Sequence, residues 1–453
     1  TETTLETVWL TDATEQGTLS NMDLPDELAF HLTRRSETLK LNLKRNYDIS
    51  PKPNVYFARK MQNGTFVLLK SRNTAKQNLA YYQDIDNGAF MTVRCVKTSN
   101  EQCDRTINGN VRIGNRNYEL QPAESDVVSR NLYDAPSALV RKYVLKDQTL
   151  PQREYSVPNK DSAYEMEKTI EQKYMTLLRR FQQQNNRNKL LKGNKTLAGT
   201  KESTLYKSGK RDKSRQVPKF YYVKVAVLID QGLWDFYHST IRFVNLLTRN
   251  RLTTGKIEVW YSHVMNGVNM IYKGIEDTSI RIIVILSEFI IFKKSHEFKL
   301  HESRVVNFFG VHLVDGPRYL NDIITWDKGT DRNKKKLFSH GMLFTRYKMF
   351  LNQLSEKELS GLSFVGEVCN VGKRMSTVEK RGYVWMVHAA AHELGHNLGA
   401  YHDGEEDAVN CSSDDRYIMS ETIVENRPDE PYNKNPWLFS TCSINAFKRT
   451  LLN

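Results

Sequence analysis

The chain has 453 residues, 39% of them hydrophobic and 26% charged, which is too long for one ordinary domain and too apolar for a disordered chain. Its net charge of +14 invites a nucleic-acid reading, but +9 of it sits in residues 187–219, where eleven lysines and arginines meet two acids and no aromatic-and-basic recognition motif accompanies them. The most apolar stretch, residues 280–292, is too short to span a bilayer and carries charges, so neither a nucleic-acid nor a membrane partner is expected.

The first residues after Thr1 are polar, with no apolar leader, so a signal peptide is expected to have been removed or left out. Residues 1 to about 158 contain short runs rich in strand formers, "TFVLLK", "AFMTVRC" and "NYELQP", bounded by glycine, asparagine and proline, and read as a small β-rich domain. Residues 159–219 differ. Met166, Ile170, Tyr174, Leu177 and Phe181 fall on one helical face over residues 162–181, a docking helix or stiff spacer. The basic stretch that follows lacks a hydrophobic period and reads as an exposed linker. Its dibasic pair, Lys210-Arg211, is a candidate activation cleavage site. From about residue 220 the pattern becomes strand, helix, strand, helix, which implies a mostly parallel twisted sheet with helices on it, residues 280–292 being one of its buried strands.

"AHELGHNLGAYHDG", residues 391–404, carries the chemistry. His392 and His396 are four apart, which puts both imidazoles on one face of a helix, about one turn apart. Glu393 lies beside the first histidine, placed to reach a zinc-bound water without being a ligand. Gly399 can end the helix and turn the chain so that His402 swings back as a third ligand. Three protein nitrogens and one open position are what a catalytic zinc requires. Zinc lowers the pKa of bound water, a carboxylate takes its proton, and the cation polarises the carbonyl under attack. The full pattern, HExxHxxGxxH, is that of the metzincins, and Met419 in "RYIMSE" stands where they place a methionine turn beneath the metal.

Asp403 directly after His402 makes the segment resemble the adamalysins, or reprolysins, among the metzincins. The likeness extends to residues 221–237, 268–292, 341–347, 360–369 and 439–443, which are similar to the family's catalytic strands, helices and closing segment. More faintly, residues 28–46 and 109–124 are similar to a reprolysin propeptide, and the simple architecture with its basic linker is most like arthropod salivary and venom members. The resemblance implies a metzincin catalytic domain over 220–453, of mixed α/β and α+β character, behind a β-rich prodomain over 1–158 that acts as inhibitor. It implies a secreted zinc metalloendopeptidase zymogen acting on extracellular proteins or peptides, with Glu393 as general base. It also implies that Asp403 hydrogen-bonds nearby backbone to fix the turn, and that Gly361, Leu362 and Ser363 form an edge strand against which extended substrate lies. The alternatives are a catalytically silent binding protein on the same scaffold and a zinc hydrolase of non-peptide substrates.

Five cysteines and three sequons, at Asn63, Asn194 and Asn410, fit secretion and glycosylation. Cys95 and Cys103, eight apart, are expected to pair, and the family likeness implies a Cys369–Cys442 bond. Cys411 is then left over. The expectation is that the chain is a fragment whose natural continuation supplies a partner cysteine soon after Asn453. No cysteine lies between Cys103 and Cys369, so latency through a propeptide thiolate on the zinc is not expected. Lys224 stands where venom relatives carry a calcium-binding glutamate, so structural calcium is not predicted, although Asn445 matches another part of that site.

Overall fold

Alternating apolar residues build the N-terminal region. Strands β1 (Leu5–Asp12), β2 (Glu27–Arg34) and β3 (Glu37–Arg45) lead the chain. Leu28, Phe30 and Leu32 of β2 turn inward, as do Leu41 and Leu43 of β3, and the antiparallel register pairs Leu28 with Leu43 and Phe30 with Leu41. After β4 (Ile49–Lys60) and β5 (Phe66–Lys70) come β6 (Leu79–Asp84), β7 (Ala89–Lys97), β8 (Cys103–Ile113), β9 (Arg116–Pro122) and β10 (Val140–Asp147). Eight of the ten close into a barrel, in the order β1-β10-β9-β8-β7-β6-β3-β2, around its own apolar core.

This computed structural model describes residues 5–13, 24–35, 37–61, 65–71, 78–97, 103–123, 140–148, 218–293, 306–308, 311–330, 338–350, 358–421 and 434–452. The expected helix over 162–181, the basic linker, the Lys210-Arg211 pair and the sequons at Asn63 and Asn194 lie outside the described residues.

The second sheet takes β11 (Lys219–Ile229), β12 (Ile280–Ile291), β15 (His340–Thr345), β18 (Gly361–Ser363) and β19 (Met375–Glu379), with β4 and β5 added from the N-terminal region, in the order β18-β19-β15-β11-β12-β4-β5. The five inner strands are parallel, and the outer pairs β18–β19 and β4–β5 are antiparallel. The N-terminal strands therefore do not all stay in the barrel: one hairpin extends the sheet. Pro51 and Pro53 fall where the β4–β12 register jumps from Ile49 to Asn54, so no ladder hydrogen bond is asked of them. A small sheet of β13 (Val306–Phe308), β14 (Val311–Asp315), β16 (Lys348–Phe350) and β17 (Glu358–Leu359) flanks the chain before β18.

Among the described residues five α-helices accompany the sheet: α1 (Gln231–Ser239), α2 (Leu246–Lys273), α3 (Gly316–Gly329), α4 (Tyr383–Asn397) and α5 (Thr441–Leu452). Side chains cap the first three, Asp230 accepting from the Leu233 amide, Asn245 from Thr248 and Asp315 from Arg318. Helix α2 lies between the barrel and α4. One of its stripes is polar and buried. His263 bonds Thr92 at 2.9 Å and Asn110 at 3.0 Å, Asn266 donates to the Tyr82 carbonyl at 2.9 Å, and Lys273 pairs with Asp48 at 2.6 Å. Toward α4, the Tyr272 hydroxyl donates to the Ala391 carbonyl at 2.9 Å.

Candidate metal centre

Helix α4 starts at the end of β19 and is apolar nearly all round, with Val384, Met386, Val387, Ala389, Ala390, Ala391 and Leu394 buried. Such a helix sits inside the domain, and its last turn carries the histidines. Its end is anchored twice. The Gly366 amide donates to the His396 carbonyl at 2.9 Å, and the Val368 amide to the Asn397 carbonyl at 3.0 Å. The chain then turns at Gly399, whose φ of +108° is open to glycine and strained for other residues. That turn brings His402 back.

His392, His396 and His402 converge, each offering a ring nitrogen, all within 4.8 Å of one another. The Nε2 atoms of His392 and His396 are each 3.2 Å from His402 Nε2. Their other nitrogens are committed: His392 Nδ1–H donates to the Ile418 carbonyl at 2.7 Å and His396 Nδ1–H to the Ala400 carbonyl at 2.8 Å. These bonds fix the tautomer and leave Nε2 as a bare lone pair. Burial, reinforced by the neighbouring rings, holds His392 far below the usual histidine range, and burial first, then His402, lowers His396 to about 3. Neutral imidazoles facing one another by their lone pairs repel unless a cation stands among them. Tetrahedral zinc, with bonds of about 2.0–2.1 Å, would hold such nitrogens about 3.4 Å apart, so the donor set fits zinc in both chemistry and spacing. The Glu405 carboxylate lies 3.6 Å from His402 Nδ1.

Glu393 is 5% exposed, and its Oε2 has no hydrogen-bond partner. Desolvation pushes its carboxyl well above the ordinary carboxylate range. Edge strand β18 passes so close that a Cβ on Gly361 would stand 2.5 Å from Glu393 Oε1. Leu362 and Ser363 are buried, so their side chains build the sheet and only the backbone of the edge is offered outward. Met419 is fully buried in the core that also contains Leu394. Its carbonyl accepts from the Asp403 amide at 2.9 Å. The Asp403 side chain does not bond backbone as expected. Its Oδ1 accepts from the Ser440 hydroxyl at 2.6 Å, and its Oδ2 has no partner. Asp403 thus ties the turn after His402 to the start of α5.

The cysteines correct the expectation more sharply. Cys442 bonds Cys411, and Cys369 is a free, exposed thiol. Cys369 is held in a left-handed turn at φ +66° after β18, whereas Cys411 packs where α5 begins, with the two Cα atoms 6.2 Å apart. Cys411 is therefore not left over. Cys95 is disulfide-bonded, while the Cys103 side chain lies outside the described ones. Lys224 and Asn445 are both exposed.

Three residues that sequence reading missed support the metal ligands. Asn397, next to His396, is fully buried. His340 Nδ1–H donates to its Oδ1 at 3.0 Å, so His340 Nε2 accepts from the Ser376 hydroxyl at 2.8 Å. The Asn397 amide donates to the carbonyls of Phe364 and Lys373 at 3.2 and 3.1 Å. Burial lowers His340 to about 4, so this network stays neutral and clamps the end of α4 to β15 and β19. The one available signal was an asparagine on the core face of an otherwise apolar helix.

Comparison with known proteins bears on residues 221–433, which match a reprolysin-type family model described as Metallo-peptidase family M12. The chain is similar to "A disintegrin and metalloproteinase with thrombospondin motifs like" of Bombyx mori, 26% identical over 52% of this chain and 33% of that protein. It is similar to "A disintegrin and metalloproteinase with thrombospondin motifs 4" of Rattus norvegicus, 30% identical over 25% of this chain and 19% of that protein. It is also similar to "Zinc metalloproteinase/disintegrin" of Bitis gabonica, 35% identical over 20% of this chain and 26% of that protein. The matched stretches thus span a third or less of these relatives' lengths.

Proposed function

Residues 221–433 belong to the reprolysin-type metallopeptidases of family M12, and from that membership we propose that the chain is a secreted zinc metalloendopeptidase in a latent form, cutting internal peptide bonds of extracellular proteins. The observation that carries the reading is the convergence of the three Nε2 atoms, two of them stripped of their protons by backbone acceptors. His392, His396 and His402 would hold the zinc, whose role when bound is to acidify water and polarise the scissile carbonyl.

The chain's own residues do the rest. Glu393 takes the proton of the attacking water on its carboxylate and passes it to the leaving amine. The backbone of Gly361–Ser363, at the end of the sheet, pairs with an extended substrate. Residues 1–158 act as prodomain. Support for that comes from where these residues pack: β4 and β5 extend the edge of the sheet opposite β18, and the barrel covers a polar stripe of α2. Among the described barrel residues, Gln148 lies beside Gly382, ten residues or about 15 Å along the helix from His392 at 1.5 Å per residue, and Phe90 shares a core cluster with Val387.

The test is to incubate the linker-cleaved protein with a peptide library, with and without a zinc chelator. Chelator-sensitive cleavage at internal bonds is expected. Zinc bound without any cleavage would instead identify a silent binding protein.

A further inference from the structure

The molecule exposes an apolar protrusion far along the chain from the zinc motif. Between α1 and α2, and over the first turns of α2, Phe243 is 100% exposed, Leu247 70% and Leu246 67%, and Val244 and Leu252 are also exposed. Isolated apolar residues on a surface are ordinary, but five within ten residues are not. Helix α2 begins at Leu246, yet its first fully buried residue is Thr253: over its leading turns Leu246, Leu247, Arg251 and Leu252 are exposed, while Thr248, Arg249 and Asn250 are half-buried. Asn245 caps that end through the Thr248 amide, and Phe243 stands in a left-handed turn at φ +60° with its side chain exposed. The projection is built into the fold.

Charge marks what it meets. From Phe236 to Ile257 there is no acidic residue, while Arg242, Arg249, Arg251 and Lys256 are all present. Arg242, Arg251 and Lys256 are exposed. Apolar side chains at the tip with cations around them match the two layers of an anionic bilayer surface, acyl chains beneath phosphate headgroups. We propose that residues 241–252 dock the protein on membranes rich in anionic lipid, Phe243, Leu246 and Leu247 entering the interface and the arginines pairing with headgroups. Such a surface seat requires no membrane span, and no described helix is long and apolar enough to be one.

Sedimentation of the full chain with vesicles tests this, comparing phosphatidylcholine alone with phosphatidylcholine mixed with phosphatidylserine. The expected result is partition onto the mixed vesicles only, weakening as salt rises. Arg242→Gln should lower the partition coefficient about fivefold. The triple variant F243S/L246S/L247S, with its charge unchanged, should lose binding while keeping the wild-type melting temperature. No partition onto the mixed vesicles overturns the proposal. Wild-type partition of the triple variant also overturns it, since the basic linker at 187–219 would then be the binding element. So does a dimer, seen by light scattering without lipid, that the triple variant dissolves.

Discussion

Gly361→Ala puts the geometry of the candidate site under the most exacting test. The added Cβ would lie 2.5 Å from Glu393 Oε1, 2.6 Å from Cγ and 2.8 Å from Cδ, where ordinary contact begins at 3.4 Å. The carboxylate must retreat by about 0.9 Å to restore contact distance, and a misplacement near 1 Å costs on the order of a hundredfold in rate. Glu393 sits in the middle of α4 and is almost wholly enclosed, so the backbone cannot move away to absorb the clash. The zinc ligands do not touch Gly361 in the described contacts, so metal content should be unchanged. The assay is kcat and KM on a quenched fluorescent peptide with the linker-cleaved protein, alongside zinc by atomic emission. A kcat down by about 30- to 100-fold with full zinc is expected. A kcat within twofold of wild type, or a raised KM with kcat intact, would show that the edge strand yields instead and would refute the reasoning.

His263, lowered to about 3 by burial between α2 and the barrel, stays neutral in the folded chain, whereas the unfolded chain protonates near 6.5; stability is therefore full above pH 6.5 and is lost as pH falls toward 3, by about 1.4 kcal/mol per pH unit. Glu258, pushed up to about 7, works in the opposite direction, so the measurement is the difference between wild type and His263→Gln in urea unfolding from pH 7 to 4; parallel curves would count against it. Non-reducing peptide mapping should link Cys411 to Cys442 and find Cys369 alkylated in the native protein, and the double serine variant of the bonded pair should lose about 3–4 kcal/mol, given the 31-residue separation. Amino-terminal sequencing of the active form should begin near 211–215. A start beyond Tyr222 would remove at least the first four residues of β11 and exclude that cleavage site.

The zinc trio was legible because its members lie within eleven residues, and helix periodicity plus one glycine suffices to converge them. The strand character of β5, β7 and β9 was legible from their β-branched and aromatic runs. What escaped was decided through space. A cysteine's partner depends on which chain segment packs beside it, and Cys442 at the head of α5 meets Cys411 rather than Cys369. His263, Asn266 and Asn269 are polar residues on a helix, yet they are buried because the barrel supplies Thr92, Asn110, Tyr82 and Gln83 as partners. The prolines of β4 argue against a strand inside a sheet, and only the register jump in its pairing with β12 accommodates them. His340 and Ser376 are separated from Asn397 by 57 and 21 positions, so their network has no local signature.

The most direct test of the central claim is Glu393→Gln in the linker-cleaved protein, measured for zinc and peptidase activity together. Glutamine keeps the side chain's shape but cannot take a proton, and Glu393 stands outside the three-nitrogen set. The account predicts zinc near one per chain, as in wild type, with peptidase activity abolished. Activity at a tenth of wild type or more, or loss of the zinc along with the activity, would contradict it.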